Sequence, residues 1–199
     1  MEKKSVEELV EALKDPDDKV RYWAATALGE IGPGAAVAVP QLVGALKDSN
    51  PWVRLCAAWA LGQIDLTATA QVPVLVEMLK DSEVDVRFHA AWVLGKIRPA
   101  AVAAVPTLAE ALTYGDALVR KEAACVLGKI GPTAAAAAPA LIQALKDPDG
   151  DIRWRVIVAL GHIGPAAVAA IPALIEALKD PHHSVRRGAA WALKAIQGS

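Results

Sequence analysis

The sequence of 199 residues contains few aromatic residues, which make up only 5% of it and include a single Phe. A conventional core built on Phe, Tyr and Trp is therefore not expected. Apolar residues nevertheless reach 54%, and about a fifth of the chain is alanine. Because alanine is the best helix former and takes little space, this composition predicts closely packed helices and excludes a disordered chain.

An excess of charge of one sign is also lacking, since 21 basic residues stand against 22 acidic ones. Proteins that bind nucleic acid usually carry a pronounced basic surface, so no nucleic-acid partner is predicted. The longest stretch without a charged residue, 156–175, is interrupted by Gly161, Gly164, Pro165 and Pro172. These interruptions predict two helices and a turn, and no membrane partner.

Cysteine is scarce as well, with only Cys56 and Cys125, which make no disulfide framework. The first residues, MEKKSVEELVEALKD, are charged throughout and lack the apolar run of a signal peptide. Both observations predict a cytoplasmic localisation.

A repeat of 33 residues organises the sequence without insertion or deletion. It is carried by Arg21, Arg54, Arg87, Arg120, Arg153 and Arg186, by Ile31, Ile64, Ile97, Ile130, Ile163 and Ile196, and by Gly29, Gly62, Gly95, Gly128 and Gly161. Such repetition predicts a single α-solenoid over residues 1–199. Its six copies span about 5–32, 33–65, 66–98, 99–131, 132–164 and 165–197.

Each copy contains the pattern of two helices. In the second copy, apolar residues recur at helical spacing from Val39 to Leu46, and Asn50–Pro51 provides an N-cap and a first helical residue. The second helix is predicted to end near Ile64. In three of the six copies a Gly-Pro pair such as Gly32–Pro33 follows, where glycine is expected to adopt the left-handed conformation and proline to stop the helix.

The two ends of the sequence depart from the repeat. Ser5 and Glu8 form a capping-box pattern, Glu7 replaces the repeated proline, and Lys194 stands where glycine recurs. These departures are expected of the capping copies of a solenoid.

The strings KDPDDKVRYWAATALGEIGP and KDPDGDIRWRVIVALGHIGP resemble HEAT-like repeats of the phycobilin-lyase (PBS lyase) type. They are also similar to engineered α-helical repeat binder scaffolds. The resemblance implies an all-α, right-handed solenoid of helix pairs whose second helices line the concave side. It further implies a ladder of Asp and Arg between copies, matched by Asp15, Asp48, Asp81, Asp147 and Asp180. Tyr114 departs from this pattern, so a local irregularity is expected there.

One face of the second helices varies between copies while the other is constant. With the repeated Arg at zero, Val20, Ala24 and Leu28 lie at about 260°, 300° and 340°, which predicts a packed arc. The positions one, two, five and nine after the Arg vary freely and lie at about 100° to 200°. The sequence therefore keeps one helix face fixed and diversifies the opposite one.

Most of the scarce aromatic residues lie on this variable face. Trp, Tyr and Arg are enriched at interface hot spots because they bury much area with few rotatable bonds. The predicted partner-binding residues are Tyr22, Trp23, Trp59, Phe88, His89, Trp92, Lys96, Glu122, Trp154, Arg155 and Trp191.

An alternative role stays open for Trp59, Trp92 and Trp191, which share one position of the repeat. Their indoles are suited to fill the grooves between neighbouring copies instead of contacting a partner. If they serve binding, changing Trp59 and Trp92 to alanine abolishes partner capture with little change in thermal stability.

Catalytic chemistry is not predicted. Cys56, His89 and Glu122 occupy one row and suggest a relay, but the spacing of stacked copies spreads them over roughly 20 Å. Catalytic hydrogen bonds need about 3 Å, so we expect neither an enzyme nor a metal site or cofactor.

The sequence thus favours a non-enzymatic scaffold that binds a protein or peptide through the concave face of its second helices. The alternative is a bilin lyase, or a chaperone-like lyase subunit, that handles a tetrapyrrole. A constant framework beside a variable face favours an engineered or designed origin, and irregularities such as Met78 leave a natural origin open. A homo-oligomer is compatible with the sequence but not implied by it.

Overall fold

The computed structural model describes residues 4–64, 72–97 and 102–198, where all regular structure is helical. The chain forms two compact units, Met1–Ile97 and Arg98–Ser199. The first contains α1 (Val6–Ala12), α2 (Asp18–Ile31), α3 (Val39–Ala45), α4 (Pro51–Ile64), α5 (Val72–Met78) and α6 (Val84–Ile97). The second contains α7 (Val105–Tyr114), α8 (Ala117–Ile130), α9 (Ala138–Ala144), α10 (Gly150–Ile163), α11 (Ile171–Ala177) and α12 (His183–Gln197).

Helices pair in the same way within each unit. In the first unit α1, α3 and α5 pack on α2, α4 and α6, and α2, α4 and α6 also pack side by side. In the second unit α7, α9 and α11 pack on α8, α10 and α12, which again lie side by side. The predicted all-α arrangement of helix pairs is confirmed.

The predicted packed arc forms the core of the first unit. Leu28 and Leu61 are fully buried, and the small side chains of Ala57 and Ala58 allow close approach of the second helices. Each fully buried leucine contributes about 1.5–3 kcal/mol to folding. Ile31 lies at about 280° on the same helix and so belongs to the predicted packed arc, but 41% of it is exposed.

Predicted capping signals act at the helix starts. The Ser5 hydroxyl accepts the N–H of Glu8 at 3.2 Å, and the Glu8 carboxylate accepts the N–H of Ser5 at 2.7 Å. At the start of α4, the Asn50 side-chain oxygen accepts the N–H of Trp52 at 2.8 Å. These bonds satisfy backbone donors that a helix leaves without a partner in its first turn.

The connection between copies corrects the expected Gly-Pro stop. Gly32 has φ 66° and ψ −138°, which is a positive φ but not the left-handed helical conformation. The chain then continues as a 3₁₀-helix over Gly32–Ala38, and Gly131–Ala137 and Gly164–Ala170 repeat this geometry. Pro33 stands at its first turn, where a missing N–H costs nothing, so the proline starts a new helix instead of ending helical structure.

Two helical stretches of the second unit, Ala117–Ala144 and Gly150–Ala177, have the length and apolarity of a membrane span. Within their most apolar windows, 44% and 50% of the residues are buried in the fold. Buried helices of a protein core have the same apolar composition. The stretch 156–175, which was predicted to be two helices and a turn, lies within the second of these two stretches. It contains the end of α10, the 3₁₀-helix Gly164–Ala170 and the start of α11.

A ladder of arginine and aspartate joins neighbouring copies, as the resemblance implied. Arg54 donates from Nε and Nη2 to both carboxylate oxygens of Asp81 at 2.8 Å each. Its Nη1 also donates to the carbonyl oxygens of Asp48 at 2.9 Å and Ser49 at 3.2 Å. The same bidentate pairing joins Arg21 to Asp48, Arg120 to Asp147 and Arg153 to Asp180. Each of these arginines therefore joins the turn between the two helices of its own copy to the corresponding turn of the next copy.

The irregularity expected at Tyr114 is present as a longer helix. Helix α7 has 10 residues, whereas α9 has 7. Directly after α9, the Asp147 carboxylate accepts the N–H of Asp149 at 2.9 Å and so fixes the turn between α9 and α10. Because tyrosine has no carboxylate to accept this bond, the helix continues until Gly115, whose backbone is extended.

The ladder makes stability depend on pH in the acid range. Hydrogen bonds from Arg153 lower the pKa of Asp180. Burial acts to raise the pKa of Asp48 and Asp81, but bonds from the ladder arginines and backbone N–H groups outweigh it, and both pKa values are lowered. Their stabilisation is present above the unfolded pKa of about 4 and is lost as the pH falls through the folded values.

We therefore expect the thermal midpoint to fall between about pH 5 and pH 3, as measured by circular dichroism at low salt. A D180N variant, which cannot titrate there, should show a shallower fall. Identical pH profiles for the variant and the parent would contradict this role of the ladder.

Candidate binding surface of the second helices

Trp23 is the most exposed aromatic residue of the predicted surface. It lies on α2, has 64% of its area exposed, and meets Tyr22 edge to face with ring centroids 5.1 Å apart. Tyr22 is half-buried. Trp23 therefore has a fixed neighbour on one side and open solvent on the other.

Helix α6 carries four of the predicted residues as a mixed aromatic and polar group. The Lys96 ammonium lies 4.7 Å from the centre of the Trp92 ring, which is a cation–π contact. Phe88 and His89 meet edge to face at 5.3 Å, and Nδ1 of His89 lies 2.8 Å from the carbonyl oxygen of Asp85. Trp92, Phe88 and His89 are half-buried and Lys96 is exposed.

Trp59 and Trp92 each rest one ring edge on a glycine of the preceding second helix. A methyl group placed on Gly62 would lie 2.7 Å from Cζ3 of Trp92, and one placed on Gly29 would overlap the Trp59 ring. Both indoles are half-buried. Inter-repeat packing and surface exposure therefore coexist in the same side chains.

Trp191 has the same arrangement in the second unit. Its ring edge occupies the space beside Gly161, while His162 meets the ring edge to face at 5.4 Å. Because 43% of Trp191 remains exposed, its outer edge is open to a partner.

The remaining predicted residues of the second unit combine one indole with charged groups. Trp154 is 37% exposed, and the Arg155 guanidinium lies 5.9 Å from its ring centre. Nε of Arg155 also lies 3.3 Å from the Asp151 carboxylate. Glu122 is half-buried on α8. The face is therefore neither uniformly apolar nor uniformly basic.

Cys56 is buried, whereas His89 and Glu122, which occupy the same position of the repeat, are only half-buried. Cys56 is only 6% exposed, and burial raises the pKa of its thiol despite hydrogen bonding to Thr26 and Tyr22. A reactive cysteine needs a lowered pKa and access to solvent, so this environment opposes a nucleophilic role. Among the described residues, no three His, Cys, Asp or Glu side chains are placed to hold a metal ion.

The sequence reasoning missed a pocket of about 200 Å³ in the first unit. It lies between the N-terminal ends of α4 and α6 and is lined by Pro51, Trp52, Leu55, Glu83, Asp85 and Val86. The position of Trp52, two before the repeated Arg, lies at about 160° on the helix and varies from copy to copy. That variation was the available signal for including Trp52 in the surface.

Comparisons with known proteins agree with the resemblance seen in the sequence. An engineered protein of known crystal structure is 27% identical, with a TM-score of 0.78 over 99% of this chain and 100% of that one. A designed armadillo repeat protein in complex with the peptide (KR)4 is 21% identical, with a TM-score of 0.78 over 97% of this chain and 100% of that one. The complex of CpcE and CpcF of phycocyanin lyase from Nostoc sp. PCC7120 is 26% identical, with a TM-score of 0.69 over 98% of this chain and 78% of that one.

No curated protein sequence matches this chain. The profile of HEAT repeats, however, matches residues 6–83, 72–139 and 138–199. The observed helix pairs agree with that match. Because these matched ranges together extend over nearly the whole sequence, the chain belongs to the HEAT-repeat family.

Proposed function

We propose that this protein is a non-enzymatic scaffold that binds a protein or peptide through the exposed face of its second helices. The observation that carries the proposal is the exposure of indoles in a chain poor in aromatic residues. Trp23, Trp154 and Trp191 expose 64%, 37% and 43% of their area. Exposed tryptophans with fixed neighbours are suited to be hot spots, because little side-chain entropy is lost when they are covered.

The structural neighbours support a scaffold role. The engineered protein and the designed armadillo repeat protein share this fold, and the latter was solved with a bound peptide. At 21% identity the armadillo likeness concerns the fold alone. It supports the idea that stacked helix pairs present a surface long enough for a peptide or a protein.

The charge of the face favours a protein over nucleic acid. Lys96 and Arg155 are interleaved with Glu122, and the net charge of the chain is −1. Phosphate backbones attract proteins with a clear basic excess, and the chain as a whole has none. We accordingly propose a protein or peptide partner in a cytoplasmic setting, with neither nucleic acid nor membrane; a second copy of the chain is one candidate.

The proposal predicts that W23A/W154A weakens partner capture by on the order of tenfold or more, because the double variant loses one aromatic anchor in each of the two units. The partner is first identified by pull-down and mass spectrometry, and its affinity is then measured by biolayer interferometry. W23A should leave the thermal midpoint nearly unchanged because 64% of Trp23 is exposed, whereas W154A should lower it modestly because only 37% of Trp154 is exposed and its ring lies beside Gly188.

A matched control is V37A/V168A. Val37 and Val168 are 66% and 61% exposed but lie on the 3₁₀-helices, away from the second-helix face. This control should capture the partner as the parent does. Unchanged capture by W23A/W154A would refute the proposed binding face.

A bilin lyase, or a chaperone-like lyase subunit, is the second candidate because of the 26% identity to the phycocyanin lyase complex. Indoles on the second helices would then contact a tetrapyrrole. Incubation with phycocyanobilin and an acceptor protein tests this candidate by visible absorbance. A shifted band favours the lyase, and an unchanged spectrum eliminates it.

A further inference from the structure

The pocket between α4 and α6 combines an indole with two carboxylates. Trp52 is 57% exposed at its rim, and Glu83 and Asp85 are exposed at the opposite side. Among the described residues, neither carboxylate forms a side-chain hydrogen bond or an ion pair. The pocket thus presents two negative charges beside an apolar wall formed by Trp52 and Leu55.

In the second unit, the two acidic residues at the equivalent positions of the repeat bind a lysine of the chain itself. Two copies after Leu55, Glu83 and Asp85, the repeat places Lys121, Asp149 and Asp151. The Lys121 ammonium lies 2.9 Å from the Asp149 carboxylate and 3.3 Å from that of Asp151. The chain itself therefore shows that paired acids at these two positions hold a primary ammonium group.

The hydrogen bond from Lys121 lowers the pKa of Asp149, and the bond to Asp149 raises the pKa of Lys121. Both shifts have the direction expected of an ammonium group bound by carboxylates. In the first unit Leu55 occupies the position of Lys121 and cannot supply that charge.

The indole of this pocket also differs from its neighbours. Trp92 carries Lys96 over its ring at 4.7 Å, and Trp154 carries Arg155 at 5.9 Å. No cation of the described residues lies over Trp52. Its ring face is therefore open to a cation from outside the chain.

We propose that this pocket binds the ammonium group of a lysine side chain presented by the protein or peptide partner. The inference rests on the proposed scaffold function and specifies one contact of it. An acidic side chain would be repelled by Glu83 and Asp85, and a neutral one would leave both carboxylates unpaired. An ammonium group gains two ion pairs and a cation–π contact with Trp52.

The experiment uses hexalysine as the probe and the indole N–H signal of Trp52 in ¹H–¹⁵N NMR spectra as the readout. Hexalysine should shift this signal saturably, whereas hexalysine acetylated on every side chain should not. E83Q/D85N should weaken binding by on the order of tenfold, since each partly exposed ion pair is of modest strength. E7Q/E11Q removes the same charge from α1 and should leave the dissociation constant unchanged.

A second pair of variants tests the comparison between the two units. L55K places an ammonium group where Lys121 lies in the other unit, so it should fill the pocket and abolish the hexalysine-induced shift. L55M, which is neutral and of similar reach, should bind hexalysine as the parent does. Circular dichroism melts establish that both variants are folded.

The proposal is overturned if the acetylated peptide shifts Trp52 equally, or if L55K binds hexalysine like L55M. An absent shift in the parent protein overturns it as well. None of these outcomes refutes the scaffold function, which stands or falls with partner capture by W23A/W154A. Conversely, if W23A/W154A captured the partner normally and the scaffold proposal failed, hexalysine binding at the pocket would still be measurable.

Discussion

R153M should lower the free energy of unfolding by about 3–5 kcal/mol, the usual cost of removing one partner from a buried ion pair. The Arg153 and Asp180 side chains are only 11% and 10% exposed, and their closest atoms are 2.7 Å apart. The change also leaves the carbonyl oxygens of Asp147 and Pro148 without the donor they share. Urea denaturation followed by circular dichroism measures the loss.

An exposed ion pair of the same unit provides the control. Lys179 and Glu176 lie 3.7 Å apart, but both side chains are 75% exposed. K179M should therefore cost at most about 0.5 kcal/mol. If R153M were no more destabilising than K179M, the ladder would be a surface feature without a structural role.

W59A and W92A should each lower the free energy of unfolding by about 2–3 kcal/mol, below the 3–5 kcal/mol typical of a fully buried tryptophan. The structure therefore changes the sequence-based expectation of little effect on thermal stability. Each indole has one edge against a glycine of the preceding second helix, and its removal leaves a cavity there. Thermal and urea unfolding measure the effect.

The glycine contact can be tested through non-additivity. In the parent protein, G62A introduces a methyl group 2.7 Å from the Trp92 ring and should be destabilising. In W92A the ring contact is gone and only Cγ2 of Val93, at 3.2 Å, still crowds the methyl group, so G62A should be clearly less destabilising there, helped by the better helix propensity of alanine. Strictly additive effects would show that Gly62 and Trp92 are energetically independent.

The architecture could be predicted from the sequence because its signals are local or strictly periodic. The capping box of Ser5 and Glu8, the N-cap at Asn50 and the 33-residue spacing of the arginines need no tertiary information. The 3₁₀ connection at Gly32–Ala38 was not predictable in this way. A Gly-Pro pair is compatible both with a helix stop and with the start of a tighter helix.

The site was predicted less completely, because angles assigned around one helix take no account of the neighbouring helices. They placed Cys56 on the open face, but the side chains of Tyr22 and Thr26 on the neighbouring helix cover it. They also omitted Glu83, which precedes the first residue of α6 and has no angle on that helix. The pocket beside Trp52 forms only where the ends of two helices meet.

The glycines beneath Trp59, Trp92 and Trp191 belong to a position that stays glycine even where no indole covers it. Gly128 retains the same space, for a methyl group there would lie 3.0 Å from the Cα atom of Ala159, as one on Gly29 would from Ala60. Val158 holds the position that Trp59 holds on the earlier copy. The single substitution V158W would therefore add an indole to this copy, over a glycine that is already in place.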